Sequence, residues 1–211
     1  MAARAISDTV KLANSVEAPR LGFGVYKSPP DVCVRSCLTA LECGYRRIDT
    51  AQFYGNESQV GSAVRQSGLA REDLFLATKI LRPGGSVEQS YQKCAESVRK
   101  LAGDAGYVDQ FLIHSPNCGA AQVAEMWQAL ERLYAEGRAR CIGVSNFGIK
   151  HIEELRRSAK VWPPLVNQIE LHPWLQQRQI VEYCRAQAIV VEAYCPLVRN
   201  LKARDETLRY P

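Results

Sequence analysis

Short β-rich runs alternate with amphipathic helical runs along almost the whole chain, and this alternation restricts the fold more than any other feature. Leu21–Phe23 reads as a first strand and Pro30–Cys43 as the helix that follows it. Tyr45–Asp49, Leu74–Lys79, Tyr107–His114, Arg140–Ser145 and Leu165–Glu170 read as further strands. Each is followed by a helix, over Glu57–Ser67, Ser86–Leu101, Ala121–Glu136, Lys150–Ala159 and Gln176–Ala186. Ile189–Ala193 is the seventh strand. The fourth helix is the clearest, with Val123, Met126, Trp127, Leu130, Leu133 and Tyr134 forming one apolar stripe at helical period and Gly137 stopping it. Strands and helices in regular alternation predict parallel βαβ units, and the apolar strand runs suit a sheet covered on both faces.

Two architectures use such units. An open doubly wound sheet announces itself by a G-x-G-x-x-G turn after its first strand. Here Gly22 and Gly24 are present, but Lys27 stands at the third position and no helix opens there. A closed barrel fits better, although it requires eight units and roughly 250 residues. The expectation is one α/β domain over residues 1–211, a (β/α)8 TIM-barrel type with seven strands present and its C-terminal end missing. The segment before the first strand, "VKLANSVEAPRLG", is expected to form a small hairpin that plugs the barrel bottom.

Composition narrows the functional classes. Apolar residues make up 46% and charged residues 23%, and the net charge of +5 comes from scattered Lys and Arg in runs of mixed sign such as "KARDETLR". That is a solvated surface and not a nucleic-acid-binding face. No apolar run approaches bilayer length, and Met1-Ala-Ala-Arg-Ala lacks the apolar stretch of a secretory signal. None of the eight cysteines forms C-x-x-C, so neither a disulfide framework nor a metal site is expected, and the pattern fits a reduced cytoplasmic protein.

The chemistry is read from strand ends. Asp49, Lys79, His114, Ser145-Asn146, Gln168 and Tyr194 lie at or near the carboxyl ends of successive strands. In a barrel these ends meet on one face, and an Asp, a Lys and a His there are most simply satisfied in one shared polar site. A Ser–His–Asp hydrolase is not supported, because no G-x-S-x-G appears. A Schiff base on Lys79 is the runner-up chemistry. Against it, Asp49 and Tyr54 lie close together after the second strand, which suggests that Lys79 pairs with Asp49 and lowers the pKa of Tyr54.

These residues carry a resemblance. "GYRRIDTAQFYGNESQVG" at 44–61, "LFLATK", "VDQFLIHSP", "CIGVSNF", "NQIELHPW" and "EAYCPL" resemble, in order and spacing, the motifs of the aldo-keto reductases. The resemblance implies a catalytic tetrad of Asp49, Tyr54, Lys79 and His114, with Tyr54 giving a proton to a carbonyl oxygen while a hydride passes to its carbon. It implies NADPH as cofactor, with NADH as the alternative, and cofactor contacts from Asp49, Ser145, Asn146, Gln168, Tyr194 and Leu197. It implies a small-molecule carbonyl substrate met by Tyr26, Tyr54, His114 and Ser115. Asn146 as a helix cap and Tyr194 as plain barrel core are the blander readings. Several positions depart from the family pattern. Cys195 stands at a usual Ser, Val25 at a frequent Thr, and Tyr26 and Ser115 at common pocket Trp positions, changes expected to open the substrate pocket. The family's eighth strand and its adenosine-phosphate contacts have no counterpart before Pro211, so a non-catalytic binding or regulatory barrel is the alternative function.

Overall fold

A computed structural model describes residues 6–198. The chain opens with a hairpin of β1 (Thr9–Lys11) and β2 (Glu17–Pro19), paired antiparallel with Val10 opposite Ala18. Its turn lies at Ala13–Asn14–Ser15, where Ser15 has a φ of 69° and the Asn14 side chain bonds the Arg140 carbonyl at 2.9 Å. Leu12 and Ala18 pack with Phe75, Cys141 and Val166, residues from the amino-terminal parts of three strands, so the hairpin closes the bottom of the barrel as expected.

Seven parallel strands follow, curled into one sheet whose spatial order is the order of the chain. They are β3 (Phe23–Gly24), β4 (Arg47–Asp49), β5 (Phe75–Ile80), β6 (Val108–Ile113), β7 (Ala139–Ser145), β8 (Val166–Glu170) and β9 (Val190–Tyr194). Between them run α1 (Pro30–Glu42), α2 (Glu57–Gln66), α3 (Val87–Ala102), α4 (Ala120–Ala135), α5 (Ile149–Arg156) and α6 (Arg178–Ala186). Among the described residues β3 and β9 are the edges of the sheet and do not pair with each other. The expected elements all form, with differences at their ends. Leu21, read as the first strand's start, is exposed and lies outside β3. The sixth helix starts at Arg178 and not at Gln176, because Gln177 takes a left-handed φ of 46°.

Local chemistry sets the helices. Pro30 opens α1 at the position where a missing N–H costs nothing. The Ser86 hydroxyl caps α3 by accepting from Gln89 N, and Gly137, with φ 72°, ends α4. Helix α4 buries Val123, Met126, Trp127, Leu130 and Leu133, the stripe its sequence announced. The main core joins such helix stripes to one face of the strands through Leu76, Ile80, Phe111, Ile142, Val144 and Ile169.

The other face of the strands points into the barrel. Strand side chains alternate, so residues two apart share a face. Arg47 and Asp49, Phe75 and Lys79, Gln110 and Leu112, Cys141 and Ser145, and Val166 and Gln168 thus all line the interior, with Glu192 in register beside Gln168. Phe75, Leu112, Cys141 and Val166 pack at the bottom against the hairpin with Arg47 over the Phe75 ring, and Asp49, Lys79, Ser145 and Gln168 lie towards the carboxyl ends of their strands.

Candidate active site

The Asp49 carboxylate lies at the end of β4 and Lys79 one residue before the end of β5. Lys79 is 1% exposed, and its ammonium donates to Asp49 Oδ1 and, at 3.0 Å, to the Thr50 carbonyl. The expected Lys79–Asp49 pair is therefore formed. With its ammonium committed to these two acceptors, Lys79 is not arranged as a Schiff-base nucleophile.

Tyr54 ends a single 3-10 turn, Gln52–Tyr54, which follows β4 and closes on Gly55 at φ 70°. The turn sets the Tyr54 ring over Lys79, whose Nζ lies 5.2 Å from the ring centroid. His114, immediately after β6, stands edge-on to Tyr54 with centroids 5.6 Å apart. The loop after β3 places Tyr26 on the far side of Tyr54 at 4.9 Å. Buried Asn56 fixes that loop. Its amide donates to the Val25 carbonyl at 2.9 Å and the Ser28 carbonyl at 3.3 Å, while its oxygen accepts from Thr50 Oγ1 at 2.7 Å.

Electrostatics separate these groups. Burial, with the Lys79 charge next, pushes His114 down to about 4 against a weaker opposing pull from Asp49, so the imidazole is neutral around pH 7. Its Nδ1 is buried without a partner among the described residues. The expected lowering of the Tyr54 pKa is not found. Burial, followed by the negative charge of Asp49, raises the phenol above its ordinary value. The physical reason is that the Lys79 charge is already neutralised by Asp49 and lies against the ring. Tyr54 is thus a fully protonated phenol at neutral pH.

On the other wall, Gln168 donates from Nε2 to Asp49 Oδ2 at 2.9 Å and to Glu192 Oε2 at 3.2 Å. Ser145 Oγ donates to the Gln168 carbonyl at 2.8 Å. Asn146, at a left-handed φ of 62°, donates to the His114 carbonyl and accepts from Tyr194 Oη, each at 2.8 Å. It does not cap α5, which starts after Gly148 with His151 Nδ1 accepting from the Gly148 N–H.

Asp49, Tyr54, His114, Ser145, Asn146, Gln168, Tyr194 and Tyr26 line one cavity of about 450 Å³, together with Gly24, Lys27, Phe53 and Cys195. Lys79 lies beneath it. The volume and the mixture of aromatic wall and convergent polar groups are those of a small-molecule site. A second cavity of about 570 Å³ adjoins it, shares Gly24, Asp49, Gln168, Tyr194 and Cys195, and passes Arg47 and Glu192 between the two sheet edges. Ser115 and Leu197 are not brought into the first cavity: Ser115 Oγ accepts from Asn117 N in its own loop, and Leu197 is 78% exposed.

Sequence reasoning missed Phe53, Lys27, Arg47 and Glu192. Phe53 projects beside the cavity, edge-on to His114 at 6.2 Å. Arg47 and Glu192 form a buried ion pair of 2.6 Å across the barrel, and Glu192 raises the guanidinium pKa although burial opposes the charge. A signal for them existed, since each lies two residues before a recognised site residue on the same strand face.

A nicotinamide can be tested against this wall. With its Nε2 hydrogens committed to two carboxylates, Gln168 can offer only its oxygen, an acceptor that matches the N–H of a carboxamide. The donor set fits.

Among the described residues no helix is long and apolar enough to cross a membrane, and no cluster of His, Cys, Asp and Glu could hold a metal ion. All eight cysteines are free. Residues 21–208 match the model of the aldo/keto reductase family. The chain is 41% identical to the glyoxal reductase of Bacillus subtilis over 204 residues, which is 96% of this chain and 72% of that protein. It is 42% identical over 192 residues to a 9,11-endoperoxide prostaglandin H2 reductase of Trypanosoma cruzi, covering 89% of this chain and 65% of that one. An aldo/keto reductase crystal structure from Brucella melitensis superposes with a TM-score of 0.85 at 41% identity, over 90% of this chain and 73% of that one. The Bombyx mori aldo-keto reductase in complex with NADP superposes at 0.82 with 31% identity, over 91% and 67%. The barrel strands, the polar groups gathered at their carboxyl ends and these likenesses agree that the chain belongs to the aldo/keto reductase family.

Proposed function

We propose that this chain reduces an aldehyde or ketone to the alcohol with a nicotinamide cofactor, NADPH in preference to NADH, and that Tyr54 is the proton donor. The observation that carries the reading is the placement of Tyr54 and neutral His114 side by side on the wall of one cavity, directly over the Lys79–Asp49 pair. A reduced nicotinamide, when bound, supplies a hydride to the carbonyl carbon. The carbonyl oxygen then gains negative charge and requires a proton. Tyr54 holds that proton at neutral pH and can release it to an oxygen within hydrogen-bonding reach. His114, as a neutral ring, orients the oxygen by donating a hydrogen bond from the nitrogen on the cavity side without competing as an acid. Proton loss from Tyr54 takes the Lys79–Asp49–Tyr54 group from neutral to one negative charge, and Lys79, by offsetting Asp49, keeps it from reaching two.

Gln168, Asn146 and Ser145 would hold the carboxamide, and Tyr194 would stack on the ring. The preference for NADPH draws on the family and on the NADP bound by the Bombyx mori neighbour. Tyr26 and Phe53 give the substrate an aromatic wall, which suits a carbonyl with an apolar substituent. Ser115 and Leu197 stay outside this assignment because neither lines the cavity. The purified chain is tested with NADPH and then NADH against a panel of aldehydes and ketones, following cofactor absorbance and binding fluorescence. Carbonyl-dependent oxidation of NADPH that is lost in Tyr54→Phe is expected. Cofactor binding without turnover on any carbonyl would support the non-catalytic alternative, and absence of both would overturn the reading.

A further inference from the structure

Glu192 gathers three donors on one carboxylate oxygen, while its Oε1 is buried without a partner among the described residues, and it lies outside the group that handles the carbonyl. Its Oε2 accepts from Arg47 at 2.6 Å, Gln110 Nε2 at 3.0 Å and Gln168 Nε2 at 3.2 Å. Gln168 and Glu192 are paired neighbours in register on β8 and β9, so the backbone ladder brings the two side chains together. A primary amide has two hydrogens. In Gln168 one goes to Asp49 and the other to Glu192. Turning the amide over would set its oxygen against two carboxylates and forfeit two charge-assisted hydrogen bonds. With Asp49 alone, one bond in place of two would restrain the amide less about its last torsion.

We propose that Glu192 is a positioning residue of the cofactor site: anchored by Arg47 and Gln110, it holds the Gln168 amide so that its oxygen is the acceptor for the nicotinamide carboxamide. The inference rests on the cofactor reading given above and adds to it a residue that touches neither cofactor nor substrate. It also gives a reason for two charges in the barrel interior. Arg47 neutralises Glu192, and a neutral residue at 192 would accept more weakly from Gln168.

A purely structural role can be separated from a positioning role. Replacing a buried ion pair by apolar side chains of similar size is often neutral or stabilising. The double variant Arg47→Met/Glu192→Met leaves no buried charge unpaired and should therefore still fold, any drop in its melting temperature being set by the Gln110 and Gln168 amide donors that lose Glu192. If Glu192 positions Gln168, NADPH should bind about tenfold more weakly to that variant, the order expected for losing a hydrogen bond to a charged group. The second readout needs no cofactor. The side-chain amide protons of Gln168, assigned in ¹⁵N spectra through Gln168→Leu, should exchange with solvent slowly in the wild type and fast in the double variant. Wild-type affinity together with slow Gln168 exchange in the double variant would overturn the proposal and leave Glu192 as a mere counterion of Arg47. If the double variant does not fold, Glu192→Gln carries the same two readouts with the same expected directions and the same overturning result. Should the wild type bind neither NADPH nor NADH, the cofactor reading falls, while Gln168 exchange still decides what Glu192 does.

Discussion

Replacing Lys79 by Met removes the cation beneath the site with little change of side-chain length. Lys79 is 1% exposed and Asp49 17%, so the substitution leaves a carboxylate largely out of water with Gln168 Nε2 as its remaining side-chain donor. Breaking a buried pair from one side costs about 3–5 kcal/mol. The retained Gln168 bond and the partial exposure of Asp49 place the expected loss lower, at about 2–3 kcal/mol. For a chain of this length each kcal/mol moves the melting temperature by about 2–4 °C, so Lys79→Met should melt on the order of 5–10 °C below the wild type. The reasoning assigns that loss to the orphaned negative charge and not to packing. A second substitution, Asp49→Asn, removes the charge, so Lys79→Met/Asp49→Asn should recover at least about 1 kcal/mol relative to Lys79→Met alone. Urea denaturation followed by circular dichroism closes the cycle. Additive losses in the double variant, or a Lys79→Met chain as stable as the wild type, would refute the account of the pair.

Three further outcomes follow from the same geometry. Tyr54→Phe should lower carbonyl reduction by about 10²–10⁴-fold in steady-state assays while leaving cofactor affinity near the wild-type value, and undiminished turnover would remove Tyr54 from its proposed role. His114 is held neutral in the fold, so its contribution to stability is present above its unfolded value of 6.5 and is lost as pH falls towards about 4. For a partly exposed ring this amounts to on the order of 1–2 kcal/mol, and His114→Gln should remove that part of the slope in denaturation measured across the window. Gly61→Ala would set a methyl carbon 2.1 Å from the Lys100 carbonyl oxygen, where α2 meets α3. It should destabilise the chain by about 1–3 kcal/mol, measured in the same denaturation assay, with no direct effect on the cavity.

The alternation of strand and helix made the barrel legible because each signal is local: a six-residue strand such as β5 is buried throughout, and the α4 stripe repeats over about three turns. The family motifs named most of the cavity's lining. Contacts between distant segments were not legible in the same way. Glu192 meets Arg47 only because β4 and β9 lie across the barrel from one another, and neither residue's neighbours in sequence announce a partner. The Tyr54 pKa was misjudged for a related reason. Reading Lys79 as an adjacent cation was right about proximity, but the direction of the shift depended on burial and on the carboxylate that neutralises the lysine. Ser115 was placed by motif alignment, whereas its position is set by the turn after β6, which bonds its hydroxyl locally.

The interior charges form an alternating chain: Lys79 pairs with Asp49, Gln168 bridges Asp49 to Glu192, and Glu192 pairs with Arg47. Two cations and two anions sum to zero, and none of the four side chains is more than 17% exposed. Mobile counterions screen exposed charges over about 8 Å at physiological ionic strength, but they screen largely buried pairs much less. The internal field at the site should accordingly respond to added salt less than the field of the exposed charges does. If NADPH binds as proposed, the salt dependence of its affinity then reports chiefly on cations at the rim, with Lys27 on the cavity wall the first to examine.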